Sequence, residues 1–251
     1  MKNPVPFAIL GNARSGTNLL INKLLQTNEV LMGWEPFNQN FFGFDLNLMK
    51  EQFLLSEDVC QKMNDNEFRN QDPNAYLEYC LGFKGTFEGK KITAVGIKVF
   101  EEHNKEIFWK LSQDKRIKII LMNRRSVLSA YSSLMIAIQT NEWAALLKEN
   151  VNPEQFQIHF DATAFVHFQA NFCDRINTLE NNLVKFGVEF VKIDYEDLIS
   201  DNLSYARVLN FLGISSTSIS TATIFKQNSK NVLDRFTNPD DVLPFLRAEQ
   251  D

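Results

Sequence analysis

The stretch AILGNARSGTNLL, residues Ala8–Leu20, holds a short apolar run, a loop with two glycines and the start of an amphipathic segment. This order predicts a β-strand, a tight loop and an α-helix. Successive backbone N–H groups in such a loop, together with the positive end of the helix, form an anion site. We therefore expect an α/β protein with a phosphate-binding loop where its first strand ends.

The loop matches only the first half of a well-known pattern. Gly11 and Gly16 have the spacing of the P-loop of nucleoside triphosphatases, G-x-x-x-x-G-K-[ST]. Thr17 and Asn18 then stand where that pattern has its Lys and its Mg²⁺-binding hydroxyl, and the cation of the loop is Arg14. The loop is therefore suited to a phosphorylated ligand other than ordinary ATP. A strand–turn–helix junction without a ligand remains an alternative, because glycine relieves a tight turn.

Composition and charge limit the possible partners. Hydrophobic residues make up 44% of the 251, which is enough for one large domain over residues 1–251 with a sizeable core. The formal net charge is −5, which argues against nucleic acid as a partner, since phosphate backbones demand an excess of Lys and Arg. Any anion site must therefore be local.

Sparse cysteines and histidines bear on metal binding and on the compartment. The three Cys and three His have no metal-ligand spacing, so no metal site is predicted, and such a cysteine count is typical of a reducing cytoplasm. The first predicted strand starts at about Val5, which leaves no room for a signal peptide. No apolar run approaches the roughly 18 residues that span a bilayer. We expect a cytoplasmic protein without a membrane span.

Runs of aliphatic residues alternate with helical periodicity along the chain. The predicted strands are Val5–Leu10, Val30–Gly33, Ile92–Phe100, Ile117–Met122 and Val188–Ile193. The predicted helices are Thr17–Leu25, Asn47–Leu55, Asn104–Leu111, Val127–Ile138, Ala162–Phe186 and Ser204–Leu212. Alternation of this kind predicts a three-layer α/β/α fold with a mostly parallel sheet of about five strands. Residues from about 139 to 186 are predicted to form a helical lid over the ligand.

A second candidate site lies in the stretch Ile117–Ser133, where a strand ends in Asn123-Arg124-Arg125. Three hydroxyls follow along the next helix, at Ser129, Ser132 and Ser133. Ligands of parallel sheets bind at the carboxyl ends of strands, so both arginines are expected to face the crevice and bind phosphate. Two surface arginines with capping serines would be the alternative.

A third candidate is the carboxylate of Glu35, which follows the second strand between Trp34 and Pro36. Proline restricts the residue before it to an extended conformation. Removal from water beside aromatic side chains raises the pKa of a carboxyl group toward the operating range of a general base. Glu35 is therefore a candidate base, with a surface or structural glutamate as the alternative.

Four features together resemble one enzyme family. They are Arg14-Ser15-Gly16-Thr17 after a strand, Arg124 with Ser132 eight residues on, Tyr195-Glu196-Asp197-Leu198 after the fifth strand, and Asn210-Phe211-Leu212-Gly213. The family is the sulfotransferases, which use 3′-phosphoadenosine 5′-phosphosulfate (PAPS) as donor and release 3′,5′-adenosine bisphosphate (PAP). The resemblance covers nearly the whole chain.

The resemblance implies roles for individual residues. The first loop of the family binds the 5′-phosphosulfate, which implies contacts from Arg14, Ser15, Gly16, Thr17 and Asn18. The 3′-phosphate is bound by an Arg and a Ser eight residues apart, which here implies Arg124 with Ser132 or, if the helix is shifted by one residue, Ser133. No metal is implied. Asn18 departs from the usual Thr of the family, so that an amide contact replaces a hydroxyl contact.

The stretch Ile136–Trp143, IAIQTNEW, is most similar to the bacterial carbohydrate branch, the trehalose and nodulation-factor sulfotransferases. In that branch the carboxylate after the second strand is the base, which implies Glu35, and a carbohydrate or glycolipid hydroxyl is the acceptor. Arg14 would stabilise charge on the departing phosphate oxygen. Lys226 lies in a stretch resembling the C-terminal segment that closes over the nucleotide, where it either reaches a phosphate or is a solvated lysine.

Some alternatives stay open. Lys98, near the end of the third predicted strand, faces the substrate or is a structural lysine with a buried stem. A P-loop small-molecule kinase would share the fold, and a non-catalytic nucleotide-binding protein could have kept the scaffold. A homodimer is compatible with the sequence, although no sequence feature indicates one.

Overall fold

A fully parallel sheet forms the centre of the computed structural model, which describes residues 3–39, 43–87, 91–143, 156–215 and 231–249. Its strands are β1 (Val5–Gly11), β2 (Val30–Gly33), β3 (Ala94–Val99), β4 (Lys118–Asn123) and β5 (Phe190–Asp194). They lie in the order β2-β3-β1-β4-β5, and every neighbouring pair is parallel. The predicted parallel sheet of five strands is therefore confirmed, and the strand before the glycine loop is its central strand.

Helices surround this sheet, and four of the ten in the described ranges are the first element after a strand. The ten are α1 (Thr17–Leu25), α2 (Glu57–Met63), α3 (Asn66–Gln71), α4 (Pro73–Cys80), α5 (Lys105–Leu111), α6 (Val127–Thr140), α7 (Ala162–Phe186), α8 (Tyr195–Ser200), α9 (Leu203–Leu212) and α10 (Pro239–Ala248). A 3₁₀ turn, Val232–Arg235, precedes α10. The predicted boundaries of α1 and α7 are confirmed to the residue.

The connection from β2 to β3 differs from the prediction. The helix predicted over residues 47–55 is present only in part, as a helical segment that is π-helical over Leu48–Gln52, and α2, α3 and α4 follow it, none of which was predicted. These helices have six to eight residues, too few to show a helical period in the sequence. Asp65 and Asp72 cap α3 and α4 by accepting backbone N–H groups, so local capping begins the helices.

Alternate side chains of β1 pack on opposite faces of the sheet. Phe7 and Ile9 pack with apolar residues of α1 and α9, whereas Ala8 and Leu10 pack with those of α4, α5 and α7. A strand buried on both faces reads as a continuous apolar run, as β1 does. This packing gives the predicted α/β/α arrangement and leaves the carboxyl ends of the strands along one edge.

An aromatic cluster joins the C-terminal segment to that edge. Five aromatic rings contact one another with ring centroids 5.2–6.2 Å apart. They belong to Tyr131 of α6, Phe160, Phe165 of α7, Phe236, and Phe245 of α10. Aromatic pairs in this range contribute beyond their buried area, by about 0.5–1.5 kcal/mol each. The cluster therefore fixes the 3₁₀ turn against α6, although the two are about a hundred residues apart in the chain.

None of the helices in the described ranges is long and apolar enough to cross a membrane. The predicted lid falls partly on residues 144–155, outside the described residues, and stays a prediction.

Candidate active site

The glycine loop lies between β1 and α1, and both glycines are required there. Gly16 has a left-handed φ of 86°, and a Cβ at this position would lie 2.3 Å from Cδ2 of Tyr195. A Cβ at Gly11 would lie 2.4 Å from the carbonyl oxygen of Met122. Only glycine fits either position. Tyr195, from the motif that follows β5, therefore packs directly against the loop.

Asn12 anchors the loop to α7. Its side chain is buried; Nδ2 donates to the carbonyl of Phe172 at 2.8 Å, and Oδ1 accepts from Nη1 of Arg175 at 2.9 Å. Arg175 in turn forms an ion pair with Glu101, 2.9 Å away. Because both polar atoms of the Asn12 amide have hydrogen-bond partners on α7, the loop is held in one position where the strands end.

Arg14 points from the loop toward α6. Its Nε donates to Oγ of Ser133 at 2.8 Å, and its Nη1 donates to the carbonyl of Trp143 at 2.7 Å. Burial, with the charge of Arg124 as a second cause, lowers the pKa of Arg14 to about 10. Arg14 therefore carries its charge at neutral pH in a confined, electropositive place.

Arg124 lies where β4 ends, beside the loop. Nη1 donates to the carbonyl of Arg14 at 2.9 Å, and the guanidinium carbon lies 4.7 Å from the centre of the Tyr195 ring. Burial lowers its pKa. Its Nε is buried and finds no hydrogen-bond partner in the described part of the chain. A buried guanidinium N–H without a partner fits an oxygen of an anionic ligand.

The neighbouring arginine has a different environment. Arg125 is 53% exposed, and its guanidinium forms ion pairs with Asp194 at 3.2 Å and Asp197 at 2.7 Å. The expectation that both arginines bind phosphate at the crevice is therefore wrong for Arg125, because two carboxylates already bind its guanidinium. Adjacent positions at the end of a strand point in opposite directions.

Helix α6 presents its two buried hydroxyls to different arginines. Ser133 accepts from Arg14, as above, whereas Oγ of Ser132 accepts from Nη1 of Arg235 at 3.0 Å. Ser132 also donates to the carbonyl of Ser129. The two serines that were candidates for binding the 3′-phosphate therefore contact different arginines, Ser133 contacting Arg14 and Ser132 contacting Arg235. Arg235 was not predicted; it lies about a hundred residues away in the chain, and nothing in its local sequence points to α6.

Glu35 follows β2 and is held by a turn. The N–H of Asn38 donates to the carbonyl of Glu35 at 2.9 Å, with Pro36 at the favoured second position of the turn. Nη1 of the buried Arg69 donates to the carbonyls of Pro36 and Asn38, both at 3.1 Å. Arg69, on the unpredicted α3, therefore fixes the turn that carries Glu35.

Three side chains surround the Glu35 carboxylate. Oε1 lies 2.6 Å from Nζ of Lys98, Oε2 accepts from Nδ2 of Asn38 at 2.7 Å, and Nε2 of His103 lies 3.5 Å from Oε2. Nζ of Lys98 also donates to Oδ1 of Asn18 at 2.6 Å. Lys98 therefore links the carboxylate to the first turn of α1.

The pKa of Glu35 differs from the expectation. Burial raises it, but the charge of Lys98 and hydrogen bonds from Lys98 and Asn38 together outweigh burial and lower it. The expected raised pKa is therefore wrong, because the sequence did not reveal that Lys98 faces this carboxylate. Burial also lowers the pKa of Lys98, which is 2% exposed, and of His103.

The predicted site residues form two separate sets of polar contacts where the parallel strands end, one around Arg14 and one around Lys98. Arg14 connects the loop to Ser133, Arg124 connects β4 to the loop, and Lys98 connects Asn18 to Glu35. Lys98 also had a sequence signal, a lone lysine within the buried strand AVGIKV. The predicted contact of Lys226 lies outside the described residues.

A parallel α/β sheet with cations gathered at its carboxyl edge is typical of proteins that bind phosphorylated ligands there. The chain is similar to proteins named Nodulation protein H. It is 27% identical over 240 residues to that of Rhizobium meliloti strain 1021, covering 92% of this chain and 87% of the relative. It is 25% identical over 244 residues to that of Rhizobium tropici, covering 95% and 88%.

These relatives confirm the resemblance to the nodulation-factor sulfotransferase branch that the motifs predicted. No model of a known protein family matches the chain.

Proposed function

We propose that this protein is a sulfotransferase that transfers a sulfuryl group from PAPS to a hydroxyl group of a carbohydrate or glycolipid. The observation that carries the proposal is the link from Glu35 through Lys98 to Asn18, which joins a candidate base to the phosphate-binding loop. The similarity to Nodulation protein H over nearly the full chain supports it.

The residues at the edge of the sheet fit a donor with two phosphorylated positions. The loop from Arg14 to Asn18 would hold the 5′-phosphosulfate through backbone N–H groups. Arg124 would hold the 3′-phosphate, which supplies an acceptor for its buried Nε. The loop has no lysine after Gly16, which argues for this donor over a nucleoside triphosphate.

The chemistry assigned to the chain is proton removal and charge stabilisation. The bound donor supplies an electrophilic sulfur whose bond to the phosphate oxygen breaks. Glu35 accepts the proton of the acceptor hydroxyl as its oxygen forms the new bond to sulfur. Arg14 stabilises the charge that develops on the phosphate oxygen. The products are a sulfate ester and PAP, with the proton left on Glu35.

Lys98 sets the basicity of Glu35 in this account. Lys98→Met removes the positive charge that lowers the pKa of Glu35, while the burial that raises this pKa remains. The pKa of Glu35 should therefore rise. Glu35 is a base only when ionised, so activity at low pH is lost first. We expect the acid limb of the profile of kcat/KM against pH to move to higher pH.

The exposed Lys105 offers a matched control, since Lys105→Met removes a lysine whose Nζ lies 3.7 Å from Glu101 and is not bonded to Glu35. An acid limb that stays in place in Lys98→Met, or moves to lower pH, would contradict the role of Lys98.

A transfer assay tests the proposed function. The protein is incubated with PAPS labelled in its sulfuryl group and a panel of oligosaccharides and glycolipids. We expect label to appear in at least one acceptor, together with an equal amount of PAP. No transfer to any member of the panel, from protein that is folded and saturated with donor, would contradict the proposal.

A further inference from the structure

Arg235 is a buried cation beside α6 that the motifs did not identify. It ends the 3₁₀ turn before α10 and is 7% exposed. Its Nη1 donates to Oγ of Ser132 at 3.0 Å and lies 3.4 Å from the carbonyl of Ser129. Ser132 is the hydroxyl eight residues after Arg124, so Arg235 meets the phosphate-binding motif itself.

The fold holds Arg235 in place from both sides. Its carbonyl accepts from the N–H of Ile158 at 2.9 Å, and the next residue, Phe236, packs in the aromatic cluster against Phe160. A side chain ordered in this way loses little further conformational entropy when a ligand binds. The C-terminal segment therefore delivers a preorganised guanidinium to α6.

The charge of Arg124 acts on the guanidinium of Arg235. Burial, with the charge of Arg124 as a second cause, lowers the pKa of Arg235 to about 10. Arg235 is still charged at neutral pH, so the charge of Arg124 repels it. A terminal phosphate, which carries nearly two negative charges and three acceptor oxygens, would reverse that repulsion.

We propose that Arg235 binds the 3′-phosphate of the donor together with Arg124 and Ser132. The proposal rests on the proposed function and names a residue that selects the donor. Arg14 and Ser133, which contact one another, serve the 5′ side. The 3′ side is then recognised by two guanidinium groups, and a nucleotide without a 3′-phosphate lacks the group that both would bind.

Calorimetric titrations separate this role from a structural one. PAP and adenosine 5′-monophosphate, which lacks the 3′-phosphate, are titrated into the wild-type protein, Arg235→Ala, Arg235→Lys and Arg247→Ala. We expect Arg235→Ala to lower the affinity for PAP by about 10–100-fold, because one charged hydrogen-bonding partner of the 3′-phosphate is lost. The affinity for adenosine 5′-monophosphate should stay within about twofold of the wild-type value. Arg235→Lys should fall between, since lysine keeps the charge without the fork.

Arg247, an exposed arginine of α10, serves as the matched control and should change neither affinity. Equal weakening of both nucleotides, or unchanged PAP affinity, would overturn the role of Arg235. Wild-type protein that binds no PAP would instead overturn the proposed function. Should Arg235→Ala fail to fold, the same comparison with Arg235→Lys decides, since a loss specific to PAP is again required.

Discussion

Glu35→Gln is expected to lower kcat for sulfuryl transfer by about 10²–10⁴-fold, the usual contribution of a general base. The amide keeps the size of the carboxylate but cannot take a proton from the acceptor. Because Glu35 follows β2 and does not belong to the loop, the affinity for PAP should stay within about twofold. Transfer of labelled sulfuryl groups gives kcat, and calorimetry gives the affinity.

Glu29→Gln is the matched control, because Glu29 lies at the amino end of β2, whereas Glu35 follows the carboxyl end of the same strand. It should retain full activity. Glu35→Gln also removes the partner of the buried Lys98, so thermal unfolding of both variants must be compared. A folded Glu35→Gln protein with wild-type turnover would show that another group takes the proton.

Arg124→Ala is expected to lower the affinity for PAP by about 100-fold, since a guanidinium group makes more than one charge-assisted hydrogen bond to a phosphate. At saturating donor, kcat should fall much less than the affinity, because Arg124 is assigned to the 3′ side and not to the sulfur. Calorimetric titration and donor-saturation curves measure the two effects.

Its sequence neighbour provides the control. Arg125→Ala removes the same side chain from the next position, but that guanidinium is bound to Asp194 and Asp197. It should leave the affinity for PAP unchanged and lower stability slightly, by about 0–1 kcal/mol, as for other exposed ion pairs. If Arg125→Ala weakens the binding of PAP as much as Arg124→Ala does, the distinction between the two arginines is wrong.

Local sequence predicted the central elements of the fold. The glycine loop and α1 have a local signal, two spaced glycines followed by helical periodicity, and the buried strands read as apolar runs because both of their faces are covered. The helices α2 to α4 were missed, since each has only six to eight residues, too few to show a helical period. Short, capped helices need the tertiary structure to be recognised.

Residues of the candidate site could be named from the sequence where a motif is continuous in the chain. Arg14 and Arg124 stand in such motifs, whereas the contact of Lys98 with Asn18 joins residues 80 positions apart and that of Arg235 with Ser132 joins residues 103 apart. No local pattern encodes these distances. The same reason explains the wrong expectation for the pKa of Glu35, which depends on the charge of Lys98.

We propose that the glycine loop, with Arg14 and Arg124, binds PAPS and not a nucleoside triphosphate. Calorimetric titration of the wild-type protein with PAP and, separately, with Mg²⁺-ATP distinguishes the two ligands. We predict that PAP binds at least about tenfold more tightly, because the loop lacks the lysine that reaches the β/γ-phosphates. Tight binding of Mg²⁺-ATP without binding of PAP would contradict the account and favour phosphoryl transfer.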